Sequence, residues 1–298
     1  RLSRGRFALL KAHRPPLVAG KYHLKDRLGQ GAHGTVYRAT HVDLGEDVAL
    51  KLLNVEVASD EKTQKRFLRE VKLATSFVHK YAVQLRDFGR ERDMGCLYFT
   101  MDLVPGPTLE ELVTNEGVLD ERPAIHLFSQ VLEALEEAHR AGIVHRDLKP
   151  ANLIVTAGPN NEAEIRILDF GVAKAVSGAR QAFSGSLTMV GTLVGTLHYM
   201  SPEQAQGLEI DTRSDLYSLA VVFYEALTGR KPTVADRKAE LAMQSFLFRL
   251  QSVMPKPVRA YAPHVSAELE AVLMRCLSKK PKDRYQTARA FRKALKRV

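Results

Sequence analysis

The spacing of apolar residues changes once along this chain, and that change limits the folds available to it. Within residues 22–102, short apolar runs alternate with turn residues, which is typical of strands. From Leu109 onward, apolar residues recur at helical spacing. A Pro-Gly pair within residues 103–106 interrupts the chain between the two patterns. The sequence therefore predicts an α+β fold, with a small β lobe at residues 21–103 and a larger, mainly helical lobe at residues 104–298.

One helix is predicted among the strands of the first lobe. The strands are predicted at Tyr22–Leu28, Thr35–Ala39, Val48–Leu53, Val83–Phe88 and Leu97–Met101. The helix covers residues 60–76, and Glu70 lies on its apolar face together with Phe67 and Val71. Turning a carboxylate toward a core is costly unless a cation meets it. Glu70 therefore predicts a Lys or Arg that points inward from elsewhere in this lobe.

The second lobe is predicted to be built from longer helices. They are expected at residues 120–140, 215–227, 266–277 and 287–298. The first of them has an apolar stripe made of Ala124, Phe128, Val131, Leu132, Leu135 and Ala138. The second is apolar on nearly every side, so we expect it at the centre of the lobe.

Length and composition exclude several classes of protein. With 298 residues and 45% hydrophobic side chains, the chain can bury a large core and is not expected to be disordered. Cys96 and Cys276 lie far apart, so neither a disulfide framework nor a cysteine metal site is predicted. No run of about 18 apolar residues occurs, so no membrane-spanning helix is predicted. We expect a cytoplasmic protein and, because the first residue is Arg, a piece of a longer one.

The net charge of +10 is concentrated at the two ends of the chain. Residues 1–25 contain seven Lys or Arg and no acid, and residues 279–298 contain nine against the single Asp283. The middle of the chain is net acidic. The simpler explanation of this basic excess is that both ends of the chain are solvated. The alternative is a docking surface for an acidic partner.

One loop of the second lobe combines three kinds of polar side chain. The stretch from His145 to Asn152, His-Arg-Asp-Leu-Lys-Pro-Ala-Asn, lies between the helix at 120–140 and a short predicted strand. In it, Asp147 can accept a proton, Lys149 can steady a phosphate, and Asn152 can bind a metal through its amide oxygen. An isolated loop Asp is more often a cap or turn residue, so this interpretation depends on the remaining motifs.

A glycine pattern follows the first predicted strand. Gly29, Gly31 and Gly34 form G-x-G-x-x-G, and Val36 follows two residues later. In a dinucleotide-binding fold the third glycine opens a helix, whereas residues 35–39 continue here as a strand. A strand-loop-strand arrangement favours a flap over phosphate groups, because missing side chains let backbone N–H groups approach phosphate oxygens.

Lys51 lies in an apolar strand that reads Val-Ala-Leu-Lys. A lysine in such a strand is usually an edge residue that points to solvent. An ion pair with Glu70 is the alternative, because Glu70 is the inward-facing anion on the one predicted helix of this lobe. Glu70 lies far enough along the chain from Lys51 for a strand and a helix to bring the two side chains together. Lys51 would then present its charge to phosphate oxygens while Glu70 fixes its position.

A second acid follows a short apolar strand further along the chain. Residues 165–171 read Ile-Arg-Ile-Leu-Asp-Phe-Gly, so Asp169 comes at the end of the strand. Such an Asp is often only a cap. Together with Asn152, however, it supplies two oxygen ligands from loops beside neighbouring strands, which suits Mg²⁺ shared with nucleotide phosphates.

With these motifs in this order, the chain resembles the eukaryotic-like Ser/Thr protein kinase family, most closely its bacterial members. The resemblance runs from about Tyr22 to the C-terminus. It implies a bilobal fold whose small lobe is an antiparallel sheet with one helix, ATP and Mg²⁺ as cofactors, and protein substrates. The implied catalytic residues are Asp147, Lys149, Lys51 and Glu70, and the implied metal ligands are Asn152 and Asp169. The implied nucleotide-binding residues are Leu28, Gly29, Gly31, Gly34, Val36, Ala49, Lys51, Met101, Asp102, Val104 and Ile154.

The resemblance also implies the acceptor and two internal contacts. Lys149 follows Asp147 by two residues, as in Ser/Thr kinases, which makes Ser or Thr the expected acceptor. Glu203 belongs to a Ser-Pro-Glu that departs mildly from the family's Ala-Pro-Glu, and it is expected to pair with Arg284. Asp215 is expected to brace the backbone of the loop that contains Asp147.

The segment from Asp169 to Glu203, called here the activation segment, is rich in Gly, Ser and Thr, a composition suited to mobility. Arg146 is a cation that a phosphate in this segment can bind. We therefore predict autophosphorylation at Thr188 or Thr192, for which two copies of the chain would associate.

Alternatives to an active protein kinase are open at this point. A pseudokinase, acting as a nucleotide-responsive binding module, would lack residues of the phosphate site, and none is missing. A small-molecule kinase would lack the long activation segment, and a nucleic-acid-binding protein is suggested only by charge, so no nucleic acid is expected. Residues 1–20 lie outside the resemblance and are expected to be a basic linker or a docking segment. No membrane contact is expected within the chain.

Overall fold

The computed structural model describes residues 17–31, 34–53, 61–91, 95–170, 197–233 and 242–298. Within these ranges the chain forms two compact units. The first contains the described residues of 17–78 and 83–103, and the second contains those of 79–82 and 104–298. The change from one to the other near residue 103 falls in the stretch where Pro and Gly interrupt the strand pattern.

In its described residues, the first unit is an antiparallel sheet with one helix. Its strands are β1 (Leu17–Val18), β2 (Tyr22–Gly31), β3 (Gly34–His41), β4 (Asp47–Leu53), β5 (Leu85–Glu91) and β6 (Cys96–Asp102). Among the described residues their order in the sheet is β1-β2-β3-β4-β6-β5, and helix α1 (Glu61–Thr75) packs against β5. The core of one side of the sheet consists of Val18, Tyr22, Leu24, Ala39, Leu50 and Tyr98.

The two-residue strand β1 was not predicted. Val18 pairs with Tyr22 of β2 and is fully buried. The backbone N–H of Ala19 donates to the buried carboxylate of Glu91 in β5. This stretch therefore forms one edge of the sheet and also contacts the strand at the other edge. Part of the predicted extension at residues 1–20 therefore belongs to the sheet, while residues 1–16 lie outside the described ranges.

As far as the described ranges extend, the second unit consists mainly of helices, with one small two-stranded sheet. Its helices are α2 (Leu109–Glu116), α3 (Glu121–Arg140), α4 (Pro202–Ala205), α5 (Thr212–Thr228), α6 (Ala242–Ser252), α7 (Ala267–Cys276) and α8 (Ala288–Leu295). The antiparallel strands β7 (Leu153–Ala157) and β8 (Ala163–Ile167) form the small sheet. No helix in the described ranges is long and apolar enough to cross a bilayer.

Helix α5 lies at the centre of this unit, as its apolar composition predicted. Every residue from Ser214 to Tyr224 is buried. Its Phe223 stacks on Phe128 of α3 with ring centroids 4.0 Å apart. The six residues of the predicted apolar stripe of α3 are all fully buried. The core therefore joins α3 to α5, and the loop that follows α3 starts from a fixed point.

Candidate active site

The loop at residues 145–152 lies between α3 and β7, where the sequence placed it. His145, at its start, is fully buried. Its ring Nε2 donates to the carbonyl of Leu168 at 2.8 Å, and its Nδ1 accepts the N–H of Asp147 at 3.3 Å. His145 therefore ties the backbone of Asp147 to the chain that follows β8.

Asp215, in the first turn of α5, holds the backbone of the same loop. Its carboxylate accepts the N–H of His145 at 2.9 Å and the N–H of Arg146 at 2.8 Å. The Nε2 of His139, in the last turn of α3, lies 2.8 Å from the same carboxylate. The bracing role predicted for Asp215 is confirmed by these contacts. The contribution of His139 was not predicted, and it adds α3 to the elements that Asp215 connects.

Asp147, Lys149 and Asn152 meet within the loop. The Nζ of Lys149 lies 2.8 Å from Oδ2 of Asp147. The Nδ2 of Asn152 donates to the backbone carbonyl of Asp147 at 2.7 Å and to its Oδ2 at 3.2 Å. The side chains of Asp147 and Lys149 are 18% and 21% exposed, so both are held in place and still reach solvent. A carboxylate in this position can accept a proton from a hydroxyl group placed beside it.

The two predicted metal ligands lie on backbone segments that are hydrogen-bonded to each other. The N–H of Leu168 donates to the carbonyl of Asn152 at 2.9 Å, which brings the residue before Asp169 next to Asn152. Asp169 has φ of +59°, a left-handed conformation that is costly for a residue other than glycine and is typical of functional sites. Because Asn152 uses its amide nitrogen on Asp147, its side-chain oxygen faces a different direction and suits a cation.

This donor set fits a magnesium ion that is shared with a phosphate ligand. The described residues contain no group of three or more His, Cys, Asp or Glu side chains that could enclose a metal. Mg²⁺ is commonly bound by one or two protein oxygens, with substrate phosphates and water completing its shell. Asn152 and Asp169 would supply two such oxygens.

The glycine pattern lies in the hairpin of β2 and β3. Gly29 pairs with Val36 and Gly31 pairs with Gly34, while residues 32 and 33 lie outside the described ranges. Gly34 has φ of +156°, and a Cβ there would lie 2.0 Å from the carbonyl oxygen of Leu52. A Cβ at Gly29 or Gly31 would meet none of the described residues within 4 Å. Among the described residues, contacts therefore require glycine at position 34 and not at the other two. The approach of a ligand to Gly29 and Gly31 stays a prediction.

Alanine substitutions are expected to separate these two roles. Gly34→Ala should lower the free energy of unfolding by about 1 to 3 kcal/mol, because the new methyl group collides with backbone. Gly31→Ala should change that free energy by less than about 1 kcal/mol and should instead weaken ATP binding. Urea unfolding and an ATP titration measure the two effects. Equal destabilisation by both substitutions would contradict the assignment.

Four predicted nucleotide-binding residues of the first unit lie on one face of its sheet. Val36 is paired directly with Lys51, and Ala49 is paired directly with Met101. Directly paired residues share a face, as do residues two apart on one strand. These four side chains therefore share one surface. On the same face, Nζ of Lys51 lies 5.6 Å from the centre of the Phe99 ring.

Glu70 has the position that the helical pattern predicted. Phe67 and Val71 on α1 are fully buried, and Glu70 is only 9% exposed. Arg69 is 3.0 Å from its carboxylate. The pairing of Glu70 with Lys51 stays a prediction.

The remaining predicted nucleotide-binding residues are divided between the two units. Leu28, half exposed in β2, and Asp102, at the end of β6, belong to the first unit. Val104 and Ile154 belong to the second. Their contacts with a nucleotide stay predictions as well.

Glu203 and Arg284 form the ion pair that the sequence predicted. Two parallel hydrogen bonds of 2.7 and 2.8 Å join them, and the hydroxyl of Ser214 donates to the same carboxylate at 2.6 Å. Arg284 is fully buried. Burial alone would raise the pKa of Glu203, but the hydrogen bonds and charge of Arg284, with the bond from Ser214, outweigh it and hold the pKa below its usual value. The pair fixes α4, at the end of the activation segment, to the chain before α8.

The chain is similar to known proteins over nearly its whole length. A family model described as "Protein kinase domain" matches residues 22–295. This chain belongs to the protein kinase family. The kinase domain is 38% identical over 282 residues to Serine/threonine-protein kinase pkn3 of Myxococcus xanthus, covering 94% of this chain and 50% of that protein. It is 37% identical over 288 residues to Serine/threonine-protein kinase PknB of Mycobacterium leprae, covering 95% of this chain and 44% of that protein.

A solved structure supports the fold of the kinase domain. The crystal structure of the Mycobacterium tuberculosis PknI kinase domain matches with a TM-score of 0.72 at 27% identity, covering 95% of this chain and 98% of that chain. The kinase domain spans about half the length of the curated relatives. The predicted kinase fold and the predicted Ser/Thr protein kinase family with bacterial members are confirmed.

Two side chains that hold the loop at residues 145–152, directly or through Asp215, were not predicted from the sequence. One is His139, which contacts Asp215. The other is Gln204, whose Nε2 donates to the carbonyl of Arg146 at 2.9 Å. Both lie on helices whose periodicity reports only which face is buried. No pattern in the sequence marks a hydrogen bond to a residue so far along the chain.

Proposed function

We propose that this kinase domain transfers the γ-phosphoryl group of ATP to Ser or Thr hydroxyls of proteins, with Asp147 receiving the hydroxyl proton. The observation that carries the proposal is the joint placement of Asp147, Lys149 and Asn152 in a loop whose backbone Asp215 holds. Relatives that are named Ser/Thr protein kinases support the acceptor class.

The transfer is a displacement at phosphorus in which the protein mainly positions and neutralises charge. The acceptor oxygen forms a bond to the γ-phosphorus as the bond to the bridging oxygen breaks, and ADP leaves with that oxygen. The hydroxyl proton passes to the carboxylate of Asp147. Lys149, 2.8 Å from this carboxylate, offsets negative charge on the group in transfer.

On the nucleotide side, the residues that the family resemblance implies would bind ATP through backbone and side chains. Gly29, Gly31 and Gly34 would let backbone N–H groups reach the phosphates, and Lys51 would add its charge while Glu70 fixes it. The apolar side chains Leu28, Val36, Ala49, Met101 and Ile154 would enclose the adenine ring. Asp102 and Val104 would hydrogen-bond its edge through their backbone.

Asn152 and Asp169 would hold Mg²⁺ through their side-chain oxygens. When bound, the ion offsets the negative charge of the phosphates. The fit of these two residues rests on the amide nitrogen of Asn152 being used by Asp147 and on the left-handed backbone at Asp169.

Regulation by autophosphorylation belongs to the same proposal. Thr188 and Thr192 lie outside the described residues, so the support is the composition of the activation segment and the position of Arg146 beside Asp147. Modification of one chain by another would require self-association. We also propose a cytoplasmic location and protein substrates, without a role for nucleic acid or for membrane contact by this domain.

Incubation with Mg-ATP and a Ser/Thr-rich acceptor protein tests the proposal. Mass spectrometry is expected to find phosphate on Ser and Thr of the acceptor and on Thr188 or Thr192 of the chain. Lys51→Met should abolish both signals. A folded wild type that labels neither protein would show a pseudokinase, the alternative function. Transfer to the acceptor with no phosphate between residues 184 and 196 would exclude the autophosphorylation.

A further inference from the structure

The peptide group that joins Arg146 to Asp147 is held at both ends. Its carbonyl oxygen, on Arg146, accepts from Nε2 of Gln204 at 2.9 Å. Its N–H, on Asp147, donates to Nδ1 of His145 at 3.3 Å. Rotation of this peptide group would move Asp147, the next residue along, so the two bonds bear directly on where its carboxylate lies.

The backbone of Arg146 needs such support. Its φ is +69°, in the left-handed region that is unfavourable for a residue with a Cβ. Such a conformation persists when the surroundings determine it from several sides. Asp215 holds the N–H of Arg146 from α5, and Gln204 holds its carbonyl from α4.

The orientation of the Gln204 amide follows from its contacts. Its Oε1 accepts the N–H of Ser201 at 2.9 Å, as part of the cap that begins α4. Its Nε2 therefore faces the carbonyl of Arg146. The opposite orientation would place oxygen against oxygen on one side and two N–H groups together on the other. Because Glu203 beside it is fixed by Arg284, Gln204 projects from an anchored turn.

We propose that Gln204 is a positioning residue for phosphoryl transfer, acting through its hydrogen bond to the carbonyl of Arg146. The inference rests on the proposed function in that it takes Asp147 as the group that receives the hydroxyl proton. Gln204 connects the end of the activation segment to the loop that contains Asp147. A displacement of the chain around Ser201 would reach the peptide group before Asp147 through this bond.

Gln204→Glu is the most direct test, because the new side chain has the same shape. One carboxylate oxygen still accepts the N–H of Ser201, but the other faces the carbonyl of Arg146 without a proton to donate. At about pH 8, kcat is expected to fall about tenfold with the ATP KM changed by less than about twofold. The melting temperature should stay close to that of the control variant described below.

The pH dependence separates positioning from a general structural effect. A carboxyl group that is partly buried against a carbonyl oxygen has a pKa above its ordinary value. As the pH falls toward that raised pKa, the protonated carboxyl regains a donor. The ratio of the kcat of Gln204→Glu to that of wild type should therefore rise as the pH is lowered from about 8 to about 5.5.

Gln206→Glu is the matched control. It adds the same charge just beyond the same helix, where Gln206 is exposed and its Nε2 donates to the carbonyl of Pro202 at 3.1 Å. Its kcat should equal that of wild type. Gln204→Ala, which removes the donor without adding charge, should lose kcat at every pH and show no recovery in acid. It serves as the second variant if Gln204→Glu does not fold.

The outcomes distinguish the inference from the function on which it rests. Loss of kcat in both Gln204 variants, with acid recovery only in Gln204→Glu, supports the role of Gln204. If wild type is active and Gln204→Ala keeps the kcat of wild type, the role of Gln204 is overturned and the proposed function stands. The same conclusion follows if Gln206→Glu loses as much kcat as Gln204→Glu. A wild type without transfer activity overturns the proposed function and this inference together.

Discussion

Asp147→Asn is expected to lower kcat by at least about 100-fold while the chain stays folded. Asparagine has the same shape, and its side-chain oxygen can still accept from Lys149 and Asn152, which contact Oδ2 of Asp147 at 2.8 and 3.2 Å. What is lost is a group that can take up the hydroxyl proton. The ATP KM should therefore change little, and steady-state transfer to a protein acceptor measures the loss.

Asp120→Asn is the matched control for this substitution. Asp120 precedes α3, is exposed and makes no side-chain hydrogen bond to the helix, so the same change of charge should leave kcat unaltered. Asp147→Asn with more than half of the wild-type kcat would contradict the role assigned to Asp147. If kcat falls equally in Asp147→Asn and Asp120→Asn, the loss comes from the change in net charge and not from the carboxylate of Asp147.

Arg284→Met is expected to lower the free energy of unfolding by about 3 to 5 kcal/mol. The substitution leaves Glu203 buried and without the two hydrogen bonds of 2.7 and 2.8 Å that neutralise it. Arg284 also donates to the backbone carbonyls of Ser278, Lys279 and Arg213, and these acceptors would lose their partner. Urea unfolding at neutral pH measures the change.

Arg289→Met is the control for loss of an arginine from a surface pair. Arg289 is 79% exposed and lies 3.9 Å from Glu136, so its removal should cost less than about 1 kcal/mol. Because the folded pKa of Glu203 lies below its ordinary value of 4.5, its stabilising contribution is present above pH 4.5 and is lost as the pH falls through the folded pKa. The difference in the free energy of unfolding between wild type and Arg284→Met should therefore become smaller as the pH falls over that acid range. Similar losses in the two arginine variants would show that burial of the pair is unimportant.

Much of the fold follows from local patterns in the sequence. The apolar stripe of α3 is buried as predicted, and Glu70 lies where the period of α1 places it. Ser266 and Thr287, where two of the predicted helices begin, cap α7 and α8 with their side chains. Local signals suffice here because each depends on neighbours within one or two turns.

Contacts between distant residues could be predicted only where a family pattern supplied them. The pair of Glu203 with Arg284 and the bracing by Asp215 came from the resemblance, not from periodicity. The bonds made by His139 and Gln204 had no such source, because His and Gln at the ends of helices are most often solvated. For Gly34, the sequence suggested a role in approaching phosphate, whereas the backbone of Leu52 gives a separate structural reason for glycine.

The short strand β1 also limits where a shortened form of this domain can begin. A form that begins at Lys21, where the predicted boundary falls, would lack Val18 and leave its place in the core empty. It would also uncover the outer edge of β2 at Tyr22 and His23, and an open strand edge can pair with another chain. A form that keeps residues 17–20 retains the cover of that edge, so the start of the stable domain is set by the sheet and not by the first recognisable motif.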